Sequence, residues 1–269
     1  MNKILLVGCG HMGTALLTTW LKKTKYSFTV IDPKNFTKLK SKFKKRVVAL
    51  NSYSKINNFK QFDFVIFAIK PQVSKIVLKQ FTNVQFKKNV IFLTIIAGKK
   101  ITFYSKFLSL KSQIVRVMPN MPASIGIGMS CIYFNNYTTK LNKNKSVKLF
   151  ENLGKVLILN KEKDIDKVTA ISGSGPGYFF LFINMLEIAA KKLGFSNNTA
   201  RELVLQTALG SISLLAQSGK KSKDLQNNIS IKGGTTEAAI NYFKKNKINK
   251  IVNYAVKTAY KRAKQLSKN

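Results

Sequence analysis

The sequence predicts an α/β chain: a doubly wound, mostly parallel sheet over residues 1–160, then an all-α unit over residues 161–269. Three observations carry that reading. Short apolar runs alternate with segments long enough for helices, the order expected of parallel strands joined by crossovers. A glycine pattern, Gly8-Cys9-Gly10-His11-Met12-Gly13, separates the first run from the first helical stretch. Beyond about Asp164 the strand-like runs stop and long helical periodicities take over.

Residues 3–7 (KILLV) are apolar apart from the initial lysine, as in a strand covered on both faces. Helical spacing follows over residues 14–22. A second strand is expected at 28–31, ending in Asp32-Pro33. Further runs at 47–50, 64–69, 90–95 and 114–117 extend the sheet. Residues 130–134 and 156–159 add its last strands, with a helix over 139–153 between them. In the second half, 178–195 reads as a helix apolar nearly all round, broken only by Asn184, Glu187 and its lysine end. Such a helix must be covered on several sides, which points to a second subunit. Residues 199–218, 235–245 and 250–266 read as three more helices.

Between a strand and a helix, Gly-x-Gly-x-x-Gly is a dinucleotide-binding fingerprint. Gly8 permits the tight turn, Gly10 lets backbone amides reach a pyrophosphate, and Gly13 lets helix and strand pack closely. Cys9, His11 and Met12 fill the loop, and the helix N-terminus supplies positive potential. Asp32, 19 residues beyond Gly13 at the end of the second strand, stands where a carboxylate bonds the adenosine ribose. That favours NAD, whereas Lys34 could pair with the 2′-phosphate of NADP; the choice stays open at this point. His11 is the only histidine. Inside a phosphate loop it is poorly placed as a general base, and hydrolytic triads and histidine-rich metal sites are not expected.

The charge is unusual: 47 Lys+Arg against 10 Asp+Glu gives +37. Only Arg46, Arg116, Arg201 and Arg262 are arginines, so the bidentate fork favoured for phosphates and base edges is scarce. The lysines are spread along the chain without a basic tail. This reads as a surface residue bias and not as a nucleic-acid function, although a diffuse positive field draws in small anions. Apolar content of 45% is ordinary for a globular chain and excludes disordered and collagenous classes. Cys9 and Cys131 form no disulfide framework and suggest free thiols in a reducing compartment. Residues 4–21 lack charge but carry too many glycines and threonines for a membrane span, and no cleavage signal follows them. A cytoplasmic protein with no membrane partner is expected.

Four further segments carry a family likeness. They are Ala68-Ile69-Lys70-Pro71-Gln72; Arg116-Val117-Met118-Pro119-Asn120-Met121-Pro122-Ala123; residues 166–178 (DKVTAISGSGPGY); and Gly233-Gly234-Thr235-Thr236-Glu237-Ala238. In this order, with the glycine fingerprint, they closely resemble the pyrroline-5-carboxylate reductase family from about Lys3 to the C-terminus. The resemblance implies an oxidoreductase that makes L-proline from 1-pyrroline-5-carboxylate with NADPH or NADH, the last step of proline biosynthesis. It implies a Rossmann domain followed by a helical substrate-binding domain that interlocks two subunits as a homodimer. Members of the family often assemble further into rings of dimers. No nucleic acid is expected among the partners.

By the same resemblance, Ala68, Ile69, Lys70, Pro71, Ala97, Met118, Pro119 and Asn120 hold the nicotinamide and its ribose. These residues end strands on the carboxyl edge, where open α/β sheets bind ligands. Asn228 approaches the cofactor. The Thr236 hydroxyl bonds the substrate near its ring nitrogen and is the one residue assigned a catalytic role. Physically, Gly233, Gly234, Thr235 and Thr236 read as a helix start with outward amides suited to the substrate carboxylate, or else as plain N-capping. Glu162 and Thr169 match residues near the family's substrate site. The chain departs from the family where Ile231-Lys232 replaces the usual Ser-Pro, where Met121 replaces Thr, and where Gly177 replaces Ala. Lys232 offers charge in place of the lost hydroxyl. Two rivals remain: an oxidoreductase of another imine or a β-hydroxy acid, and a basic nucleic-acid-binding protein. For a β-hydroxy acid enzyme, the expected Lys and Asn four residues apart are not found in 178–193.

Overall fold

A computed structural model describes residues 2–268. Eight strands form one sheet: β1 (Lys3–Val7), β2 (Ser27–Ile31), β3 (Val47–Leu50), β4 (Phe64–Phe67), β5 (Ile91–Thr94), β6 (Gln113–Met118), β7 (Gly128–Phe134) and β8 (Gly154–Ile158). Their order is β3-β2-β1-β4-β5-β6-β7-β8, so the order in which strands are added reverses between β1 and β4. All neighbours are parallel except β6 and β7, with Arg116 opposite Tyr133 and Met118 opposite Cys131. Every strand expected from an apolar run is present. The fourth stops at Phe67 and not at 69, because Ala68 and Ile69 turn across the first glycine loop.

Helices cover both faces of the sheet. On one, α1 (His11–Lys23), α2 (Phe36–Phe43) and α5 (Lys140–Glu151) bury Leu16, Leu17, Leu39 and Phe150 against β1, β4 and β5. On the other, α3 (Ser74–Lys79) and α4 (Ile101–Leu108) contribute Leu78 and Tyr104 to a second core with Val65, Phe67 and Phe92. The only tryptophan, Trp20, is fully buried in the first core. It stacks on Phe28 at 5.9 Å, meets Phe150 edge-on at 5.7 Å, and donates from Nε1 to the Leu149 carbonyl at 2.9 Å. Trp20→Ala should therefore cost about 3–5 kcal/mol, read as a fall in the urea midpoint.

The helices beyond the sheet are α6 (Asp164–Val168), α7 (Gly175–Lys192), α8 (Asn197–Ser218), α9 (Ser222–Ile229), α10 (Thr235–Lys245) and α11 (Ile248–Lys268). The sequence pattern finds four of them. It misses α6 and α9, which are too short to show a full apolar period, and runs α7 three residues too far. Gly194, at φ +96°, ends that helix in a left-handed turn.

The chain divides into two compact units: residues up to Ser174 together with those from Ala259 onward, and Gly175–Thr258. The composition boundary at 160/161 follows the end of the sheet at Ile158. The compact unit extends further, because Ile165 packs with Met118 and Cys131 and because Leu266 lies against Gly98. Within the second unit α7 is not covered: Phe179, Phe180 and Leu181 are each about 60% exposed in the single chain.

Candidate active site

The glycine turn has the shape its sequence requires. Gly8 sits at φ +89°, and a Cβ there would lie 2.5 Å from Ile69 Cγ2 and 2.7 Å from the Ala68 carbonyl oxygen. A Cβ on Gly13 would come within 2.9 Å of the Gly8 carbonyl oxygen. A Cβ on Gly10 would meet nothing within 4 Å. Two glycines are therefore needed for packing, while the third keeps open the space in front of α1. That helix starts without a side-chain cap or an acidic residue in its first turn, leaving early amides available to an anion. His11 is exposed, and Met12 packs against the core. Cys9 is buried, its thiol pushed up to about 11 by burial, so it carries no thiolate at neutral pH. These residues fit a dinucleotide pyrophosphate.

Asp32 is more committed than its position suggests. It is buried and accepts from Cys9 N at 2.7 Å, Lys34 N at 3.0 Å, Asn35 N at 2.9 Å and Asn35 Nδ2 at 3.1 Å. A carboxylate offers about four acceptor directions. In this structure they are used to lock the glycine turn to the loop after β2. Lys34 is exposed on that loop.

The ends of β4, β5 and β6 bring Ala68–Pro71, Ala97 and Met118–Asn120 to one edge of the sheet. Asn120 ties this edge down: its Oδ1 accepts from Met129 N at 2.8 Å, and its Nδ2 donates to the Ser172 carbonyl at 3.2 Å. Between α6 and α7, residues Thr169–Gly173 form one wide π turn, closed by Ser174 N donating to the Thr169 carbonyl at 2.8 Å. Gly173 lies beside Met118. Such turns interrupt a helix ladder and often occur at functional positions. The Thr169 hydroxyl donates to the Ile165 carbonyl at 2.7 Å and is spent inside the helix.

Glu162 is likewise held. Its Oε1 accepts from Arg116 Nη1 at 2.8 Å and from Ile101 N at 2.7 Å, pinning the start of α4 to β6. The sequence reading gave Arg116 no role of its own. The signal was available, since an arginine in the middle of an apolar strand must be paired when buried.

In the helical unit, Asn228 is exposed on α9 and Lys232 is exposed before α10. Gly233 has φ +76°, and its N–H donates to Glu237 Oε2 at 2.8 Å. The N-cap of α10 is Gly234, without a side-chain cap. Plain capping by threonine is thus not what the structure shows. Thr235 and Thr236 are the first helical residues, and the cap is closed by Glu237 reaching back. The side chains of Thr235 and Thr236 are left to other partners, beside the free amides of a helix start.

Comparison with known proteins decides the family. A model described as pyrroline-5-carboxylate reductase dimerisation matches residues 162–266, and one described as NADP oxidoreductase, coenzyme F420-dependent, matches residues 3–98. A pyrroline-5-carboxylate reductase of Vibrio alginolyticus is 31% identical over 272 residues, covering 99% of this chain and 98% of that relative. The chain belongs to the pyrroline-5-carboxylate reductase family. Solved reductases agree in fold. The Plasmodium falciparum pyrroline carboxylate reductase with NADP bound superposes with a TM-score of 0.86 at 28% identity, covering 99% and 98% of the two chains. The Streptococcus pyogenes reductase does so at 0.87 and 28%, covering 98% of each. A prephenate dehydrogenase of Aquifex aeolicus, at 14% identity and TM-score 0.54, shares the fold only. The reductase-family dimerisation region contains α7, so the bare apolar face of that helix belongs to a homo-oligomer. Among the described residues no helix is long and apolar enough to cross a membrane.

Proposed function

We propose that this protein reduces 1-pyrroline-5-carboxylate to L-proline, using hydride from a nicotinamide dinucleotide. The observation that carries this reading is family likeness along the whole chain, with both the glycine turn and the α10 start intact. NADPH or NADH supplies the hydride. Residues 8–13 would hold the pyrophosphate, and 68–71, Ala97 and 118–120 the remainder of the dinucleotide. The start of α10 binds the substrate carboxylate through its amides, aided by Lys232, and Thr236 orients the ring nitrogen. The substrate enters as the protonated imine, already electrophilic, so positioning supplies most of the acceleration and no dedicated acid–base pair is needed. Following the dinucleotide's oxidation when 1-pyrroline-5-carboxylate is added tests this reading; β-hydroxy acids supplied with the oxidised dinucleotide should give no reduction of it.

NADPH is the preferred donor in this reading. Asp32 has its oxygens engaged with backbone and Asn35, so it presents no free acceptor to a ribose diol, while Lys34 offers a cation for a 2′-phosphate. Lys34→Ala should raise KM for NADPH roughly tenfold and leave KM for NADH nearly unchanged, since one charge-assisted contact is worth about that much. Equal effects on both would return the choice to Asp32. The functional assembly is a homodimer, built further into a ring of dimers. It works in the reducing cytoplasm, consistent with two unpaired buried thiols, and takes no nucleic-acid partner.

A further inference from the structure

We propose that the first unit carries a second ligand site, for a small polyanion bearing two or more carboxylate or phosphate groups. A cleft of about 600 Å³ opens beside β6, a size suited to a small metabolite. Of the residues assigned above to dinucleotide or substrate, only Glu162 lines it, and Glu162 is held there by Arg116 and the Ile101 amide. Its walls carry Lys100, Lys161, Lys163 and Lys264 around Arg116. Two carboxylates also line it, and both already have partners. Glu162 holds Arg116 and the start of α4, and Asp166 Oδ1 accepts from the Ser267 hydroxyl at 2.8 Å.

The decisive feature is the Arg116 guanidinium. It is only 3% exposed, and Nη1 is paired to Glu162 while buried Nη2 has no hydrogen-bond partner. A buried cationic donor left unpaired is unfavourable, and the positive charge of Arg116, which lines the cleft, favours an oxyanion entering it. The surrounding lysines neutralise further charge, and Tyr133 and Tyr260 provide walls too broad for a site made for a single small ion.

Calorimetric titration of the full chain with citrate, and separately with inorganic pyrophosphate, at near-physiological salt tests this. Saturable binding of at least one is expected; citrate alone would indicate a polycarboxylate, pyrophosphate alone a phosphorylated compound. Lys161→Ala and Lys264→Ala, both at exposed positions, should each weaken binding roughly tenfold. Arg116→Lys, which keeps the charge and removes Nη2, should do the same; if it lowers thermal stability, the two lysine variants decide alone. Lys34→Ala should change nothing. Absence of saturable binding, or binding that survives both lysine substitutions, overturns the proposal. So does binding lost through Lys34→Ala, which would place the anion at the dinucleotide turn. None of these outcomes bears on pyrroline reduction.

Discussion

Gly8→Ala is expected to abolish usable dinucleotide binding and to destabilise the fold at once. Its Cβ would require a left-handed backbone at φ +89° and would overlap the Ala68 carbonyl and the Ile69 side chain. Left-handed strain for a non-glycine residue costs about 1–2 kcal/mol before any overlap is counted. Relieving the overlap moves β4's end away from β1's, and both ends contribute to the proposed cofactor site. Gly10→Ala separates the two effects. Its Cβ meets nothing within 4 Å and its φ of −69° suits any residue. The variant should keep the parent's thermal midpoint yet bind NADPH at least about tenfold more weakly, because the methyl stands where the pyrophosphate approaches. Fluorescence titration with NADPH alongside thermal melts reads both. A Gly10→Ala protein that binds normally would remove the pyrophosphate from this turn.

Thr236→Ala should behave in the opposite way. The Thr236 side chain caps nothing at the start of α10, so losing its hydroxyl removes no cap from the fold. If it orients the ring nitrogen, kcat/KM for 1-pyrroline-5-carboxylate should fall roughly 10- to 100-fold, the range for one hydrogen bond to a charged group. The dissociation constant for NADPH should barely change. Thr236→Ser, which restores the hydroxyl, should recover most of the activity. Parallel losses in turnover and cofactor affinity would mean that the residue shapes the site and does not touch substrate.

How much was legible in the sequence depends on how local the cause was. The central strands announced themselves because a strand buried on both faces must be apolar throughout, as in Phe64–Phe67, and the edge strands β3 and β8 are apolar runs although partly exposed. The glycine turn was legible for the same reason: Gly8 and Gly13 answer to immediate steric demands. What stayed hidden depends on distant partners. Asp32 stands at the ribose position by spacing, yet its oxygens are taken by Cys9, Lys34 and Asn35, which only the folded loop brings together. Glu162 reads as a lone acid before a helix; its partner Arg116 lies 46 residues away on β6. The α7 helix was correctly read as apolar all round, but its cover lies outside one chain, so a single subunit leaves it exposed. The start of α10 was found to the residue, and the alternative of plain threonine capping fails because Glu237, one helical turn on, reaches back to the Gly233 amide.

The central claim is hydride delivery from the bound dinucleotide to the carbon of a cyclic imine. The most direct measurement uses NADPH deuterated at the transferable position of the nicotinamide, with 1-pyrroline-5-carboxylate as substrate and mass and NMR analysis of the product. The account predicts L-proline carrying one deuterium on the ring carbon next to nitrogen and remote from the carboxylate. A folded protein that binds NADPH but yields no proline, or proline without the label, would contradict it.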